Sequence, residues 1–433
     1  MKYFKIYLTF PAYIFFLIMS PACIFANIIE VSPTESDKTI ISKIEGAQAG
    51  DRIKIAPGTY KVRIRLTNSG KKDAPIIVEG SGDSRPRWDL SGHDIDAFPG
   101  SKWFERSAWQ IEGKYIEIRN IEFLNAHLET GGTAGNGSGI RLLNARDITI
   151  ENCLFKNNDN GIQGHGENVL VQRCQFQGNG ETDKNPYADS GHNIYTHSGS
   201  WTFRFCSIID SKHQNAHCRG SDIRFEYCWF ENEGSYALDL MTSQKDHERH
   251  GGAYSGAITL LGCVVIQAKN PKNTSKIVAL SCQPRKDSVA LNVNLYYCTV
   301  IGNGSSAAIV RTSKDHPFKS RINIYNSLFQ GIGQSVRIDS QGNGFDIVSD
   351  IRSNIWPEAL KKDLDAANHF PQQMLFADAI HHDYRLTSKS EGIGLANANL
   401  GEMPRWHIIQ KSGKLEILPR NTAQDVGAYE HNQ

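Results

Sequence analysis

Short runs that alternate apolar with polar residues recur through most of the chain: YIEI, DITI, NVLV, WTF, DIRF, AITL, NVNL and RINI. Just after each run a small or apolar residue holds a fixed place: Ile121, Cys153, Cys174, Cys206, Cys228, Cys263, Cys298 and Ser327. Polar Asn/Gly-rich stretches such as KNNDNG, QGNG and IGNGSS follow. Alternation at period two predicts strands that send one side chain inward and the next outward. Successive fixed places lie 32, 21, 32, 22, 35, 35 and 29 residues apart, a coil near its minimum length with loops inserted into most turns. Repetition at this period predicts a β-solenoid, its coils stacked so that each fixed residue lies over the last.

The ends depart from the repeat. Residues 34–46 (TESDKTIISKIEG) predict a short amphipathic helix closed by Gly46, able to cap the open end of the solenoid. RIKIAPGTY and PIIVEG then begin the winding. From about Ile351 the pattern lapses, and HHDYRL through DVGAYE predicts a C-terminal extension packed along the coils. Ahead of all this, Lys2 and Lys5 precede an apolar run from Ile6 to Met19, with small residues at Ala22 and Ala26. That reads as a signal peptide over 1–26, followed by a β-solenoid domain over 27–350 and an extension over 351–433 that packs on the solenoid. Cys23 would mark a lipoprotein only with a large aliphatic residue three places earlier, where Ser20 stands. No later apolar run is long enough to span a bilayer, so the expected product is secreted or periplasmic and acts as a monomer.

Charge and cysteine content refine this. Lys and Arg number 47 against 46 Asp and Glu, so no global field draws nucleic acid, and an acidic ligand would need a local patch. The eight cysteines beyond Cys23 would ordinarily suggest disulfides in an oxidising compartment. Six of them share the inward place, however, and a column of free buried thiols is expected, although coils about 4.8 Å apart leave a bridge geometrically open.

DRIKIAPGTY, the Asn/Gly-turned coils, and DYRL followed by DVGAYE resemble the secreted right-handed parallel β-helix proteins of bacteria, the pectate lyase-like and alginate lyase-like superfamily. The resemblance covers nearly all of the chain beyond the leader and implies an all-β fold, a right-handed parallel β-helix. GHNIYTH, HCRG and GSYALDL are similar to a glycan-lyase-like subgroup of that superfamily. In such enzymes the base is Lys, His, Tyr or Arg, and the substrate carboxylate is neutralised by a basic or amide side chain or by calcium. By resemblance these roles fall on His217, Arg219 and Tyr195. HCRG is shorter and less basic than the subgroup's cluster, which leaves Lys212 and Arg219 as alternatives for one position.

The residues point the same way on their own. A strand some twelve residues before each fixed place carries polar side chains: Arg141 in GIRLL, Gln163 and His165 in GIQGH, Tyr195 and His197 in NIYTH, His217 and Arg219 in AHCRG, Asp239 in YALDL. Gln283, Arg285 and Arg311 extend the series. Positions two apart on one strand share a face, and neighbouring coils lie about 4.8 Å away, so these groups are expected to converge. His192, Asn193, Lys212 and His213 enter from the preceding turns, and loops 179–190 and 242–255 are long enough to wall a groove.

β-Elimination of a uronic-acid polysaccharide needs such a set: a cation on the carboxylate, a base for the C5 proton and an acid for the departing oxygen. Arg219 grips a carboxylate bidentately. His217 is the first candidate base, with His197 and His192 behind it; Tyr195 serves as acid or base, and Lys212 as base or neutraliser. His192, Asn193, His213, Asp239, Gln163, His165, Arg141 and Arg311 are expected to contact substrate, with Asp239 orienting His217 or Arg219. Glycoside hydrolysis ordinarily uses two carboxyl groups, where this column offers Asp239. C5-epimerisation shares the proton abstraction, and a non-catalytic glycan-binding solenoid is a third alternative. No cofactor is expected: the column lacks the clustered carboxylates of a calcium site, and no tight zinc motif joins His192, His197 and His217.

Overall fold

The computed structural model describes residues 27–93, 95, 98–100, 106–127, 137–180, 191–232, 236–242, 256–267, 278–284, 290–302, 310–311, 319–331, 338–339 and 347–431, short of 362, 363, 365, 373, 375, 412, 413 and 423. The leader reading over 1–26, most of the loops at 179–190 and 242–255, and Arg285 lie outside them.

The alternating runs are strands of a long parallel sheet of seventeen strands among the described residues, faced by a ten-strand parallel sheet. Each coil enters the long sheet, kinks at a bulge, continues in it, turns a tight corner, crosses the short sheet and returns. Residues 138–151 and 160–172 run through the kink as single strands, Ser138–Glu151 and Asn160–Gln172, with a register break between Leu143 and Ala145.

The corner before the short sheet is one left-handed residue per coil. Asn120, Asn152, Arg173, Phe205, Tyr227, Gly262, Tyr297 and Asn326 all have φ between 51° and 60°, each directly before the fixed place. Bulky residues in this region are strained by about 1–2 kcal/mol, offset here by stacking: Phe205 lies on Tyr227 at 5.3 Å with Arg173 over its other side. The corner also explains the cysteines. Each thiol donates to the carbonyl two residues back, Cys153 to Glu151 at 3.3 Å and Cys206 to Arg204 at 3.4 Å, and Ser327 does the same to Tyr325 at 3.1 Å. A small side chain with one weak donor suits that spot. All eight described cysteines are free and buried.

Inside, identical positions stack: Phe123, Phe155 and Phe176 lie face to face at 5.1 and 4.8 Å. Asn158, Asn179, Asn193 and Asn215 form a fully buried amide ladder at the opposite corner, each bonded to the next at 2.7–2.8 Å.

The helix predicted over 34–46 is present as Asp37–Glu45, with Ser36 accepting from Thr39 N and with Ile40 and Ile44 in the main core. The strand Ile347–Arg352 still pairs with Lys319–Tyr325 and crosses position 350. Beyond it lie antiparallel pairs, Phe376–Asp378 with Asp383–Leu386 and Trp406–Lys411 with Lys414–Pro419. Ile408, Val426 and Tyr429 pack with Tyr227, Trp229 and Val264 in a second apolar cluster outside the coil. Among the described residues no helix is long and apolar enough to cross a membrane.

Candidate active site

Parallel register does for the polar residues what it does for the core. Gln110, Arg141, Gln163, Tyr195, His217, Asp239 and Ser281 are successive Cα partners across seven strands. Residues spread along the chain from Gln110 to Ser281 thus become one row.

His217 is the best-held member. Its Nδ1 lies 2.8 Å from Gln214 Oε1 and 3.1 Å from Asp239 Oδ2, while Arg219 Nε donates to its Nε2 at 3.2 Å. An N–H pointing at Nε2 makes that nitrogen the acceptor, so the proton sits on Nδ1, directed to the two oxygens. Asp239 is 4% exposed and His217 9%, which keeps this pairing strong. Arg219 is fixed at its backbone by Thr196, whose Oγ1 accepts from Arg219 N at 3.1 Å. Its guanidinium lies 5.4 Å over the Tyr195 ring. Tyr195 is half-buried, with its ring 5.1 Å from His217, 4.9 Å from His192 and 4.3 Å from His197.

Two further imidazoles are held neutral. Burial pushes His192 well below the ordinary histidine range, helped by the nearby His217, His213 and Arg219. Burial does the same to His197, with His165 and Arg141 adding to it. His192 stacks on His217 at 5.2 Å and has a buried Nδ1 without a hydrogen-bond partner. Gln163 is anchored by Arg141 Nη2 at 2.6 Å and by Ser138 at 2.9 Å, and its amide meets His197 Nε2 at 3.1 Å. His165 lies 4.9 Å from His197, and His213 lies 5.5 Å from His192.

Several placements differ from the sequence reading. Asn193 is fully buried in the amide ladder, donating to Ile209 O and Asn215 Oδ1, so its amide points away from the cluster. Lys212 is exposed and lines a separate groove with Lys156, Asn157 and Asp210 around the corner, and is not among the groups packed on His217. His165 and His197 are not register partners: a bulge pairs His165 with Ser198 and leaves His197 as the extra residue. Of the series' continuation, Ser281 and not Gln283 follows Asp239, and Arg311 lies in the strand Val310–Arg311, paired with Ile338–Asp339 in a small separate sheet.

Gln214 was missed. Strict alternation from Ala216 turns it inward, but pairing goes from His192/Gln214 directly to Ile194/Ala216, because the chain rounds a corner at Asn193 and Asn215. Gly161 marks that corner in the sequence: a Cβ there would stand 2.4 Å from Asn193 O. Among the described residues no three His, Cys, Asp or Glu side chains are grouped to hold a metal ion.

Residues 108–274 match the family model described as a right-handed beta helix region. None of the curated proteins matches the sequence. Similar solved structures include a rhamnogalacturonan lyase (12% identity over 82% of this chain and 92% of that one, TM-score 0.47). An alginate lyase from Paenibacillus sp. str. FPU-7 is similar at 15% identity over 74% and 98%, TM-score 0.42. A GH136 lacto-N-biosidase from Eubacterium ramulus is similar at 12% identity over 79% and 68%, TM-score 0.43. Lyases and a glycosidase stand side by side at this level, and nothing about reaction is taken from it. The stacked parallel coils, together with the family match across the coils that carry the histidine cluster, make this chain a right-handed parallel β-helix protein.

Proposed function

We propose that the chain is an exported polysaccharide lyase that cleaves a uronic-acid-containing polymer by β-elimination, with its site on the strands His192–Arg204, Gln214–Gly220 and Tyr236–Thr242. The observation that carries this is the Asp239–His217–Arg219 arrangement beside Tyr195. Arg219 turns from His217 Nε2 onto the substrate carboxylate, which frees the imidazole lone pair and makes the C5 hydrogen acidic. Nε2 takes that proton, the electron pair becomes the C4–C5 double bond, and the C4–O4 bond breaks. Tyr195 protonates the leaving oxygen. Asp239 and Gln214 hold the tautomer, and Asp239 stabilises the imidazolium that forms. Hydrolysis would want a second carboxylate, and among the described residues the row supplies Asp239 alone.

The test is absorbance at the wavelength of unsaturated uronate ends, on alginate, polygalacturonate, glucuronan and glycosaminoglycans. A lyase raises it, and folded His217→Ala lowers the rate by about 10²–10⁴-fold. Reducing ends without absorbance would replace elimination by hydrolysis. A polymer that is bound but unchanged would leave a binding protein.

A further inference from the structure

On a different flank of the coil, at the left-handed corners, lies a groove of about 730 Å³ that takes no residue from the histidine cluster. The hairpin Trp406–Lys411/Lys414–Pro419 forms its far wall through Lys414, Leu415 and Ile417. The volume falls within the range of small-ligand sites.

Its chemistry is specific. Ser207 lines it, only 2% exposed, with a buried Oγ that has no hydrogen-bond partner. Three cations line it, Arg85, Arg173 and Lys414, against Asp83 and Glu122; Arg173 is paired with Glu151 at 3.2 Å, and Arg87 meets Glu122 at 3.7 Å, which leaves Arg85 and Lys414 against Asp83. Arg85 is directed by a bond to Asn152 Oδ1 at 2.6 Å. Phe205 lines it as well, and Trp406, 38% exposed, stands edge-on to Phe205 at 6.3 Å. An idle hydroxyl and cations in excess suit a sugar that carries a carboxylate. A sugar hydroxyl fits Ser207, and the acid fits Arg85 and Lys414.

We propose that this groove is a second, non-catalytic binding site for an acidic oligosaccharide, which tethers the polymer while another stretch of it lies over His217. The ligand class rests on the uronate reading of the active site; the existence of the site does not. The test is native electrophoresis of the His217→Ala protein through gels holding alginate, polygalacturonate or hyaluronan. Lys414→Glu and Arg85→Ala/Lys414→Ala are run in the same background. Lys414 is exposed on the hairpin, so its reversal leaves the fold intact. Retardation is expected in at least one gel, with at least about fivefold weaker apparent binding in the groove variants. Equal retardation with and without the groove cations, or no retardation in any gel, overturns the proposal. If no polymer is cleaved by the unaltered protein and Lys414→Glu still weakens retention, the lyase reading fails and the second site stands.

Discussion

Replacing Asp239 by Asn removes one charge and almost no volume. In the structure that carboxylate lies 3.1 Å from His217 Nδ1, and both groups are buried. At that distance an imidazolium and a carboxylate attract by about 5 kcal/mol for an effective dielectric near 20. Neither the resting neutral imidazole nor an amide gains this, so it acts when the base has taken its proton. Relaxation and the remaining Gln214 oxygen, 2.8 Å away, recover part of the loss. The expected outcome is a fall in kcat of about 10²–10³-fold, or ~3–4 kcal/mol, with KM little changed because the buried Asp239 carboxylate is held on His217 Nδ1. Gln214→Ala removes a neutral acceptor and should lower kcat by about 2–10-fold. The double variant should lose more than the product of the two, since nothing then fixes the proton on Nδ1. The assay is the initial rate of unsaturated-end formation, with the thermal midpoint as a folding control. If Asp239→Asn slows the enzyme no more than Gln214→Ala does, the charge is not stabilising an imidazolium and His217 is not the base.

Burial holds His192 below the ordinary histidine range, so the folded state binds its proton less readily than the unfolded chain. Stability is therefore complete above about pH 6.5 and falls below it by about 1.4 kcal/mol per pH unit for this imidazole. His197 contributes in the same direction. Urea unfolding at pH 7, 6 and 5 measures the slope; His192→Gln should flatten it by about one proton, and an unaltered slope contradicts the assignment. The free cysteines predict that a thiol reagent reacts with almost nothing in the native protein and with all eight β-helix thiols after unfolding without reductant. A shortfall in the unfolded count would mean bridges between coils.

The coil itself was legible because its signals are repeated. Alternation, a small or apolar fixed place that is cysteine in six coils, and Asn/Gly turns recur along the chain, and parallel register carries one coil's pattern to the next. The row Arg141, Gln163, Tyr195, His217 and Asp239 followed from counting alone. What failed were the positions where period two breaks. At Asn193 the chain rounds a corner, so the parity that held from Ile194 onward does not reach back to it, and the amide joins an interior ladder. At His197 a bulge inserts one residue, which shifts its partner from His165 to Gln163. Lys212, in the turn before Gln214, falls on the far side of that same corner. Corners and bulges are set by contacts between coils, which no single segment of sequence contains.

The proposed mechanism also carries a selectivity. A protein with net charge +1 cannot gather polyuronate by its overall field, so discrimination has to occur within the site. In the proposed mechanism the contact of Arg219 with His217 would supply it, because the guanidinium that would bind the carboxylate also covers the nitrogen that would remove the proton. A neutral sugar offers nothing to draw Arg219 away, and Nε2 stays occupied. A uronate offers two oxygens in a fork that an arginine prefers to one imidazole nitrogen. Binding of the correct substrate and exposure of the base then become one movement of a single side chain, its backbone held still by Thr196.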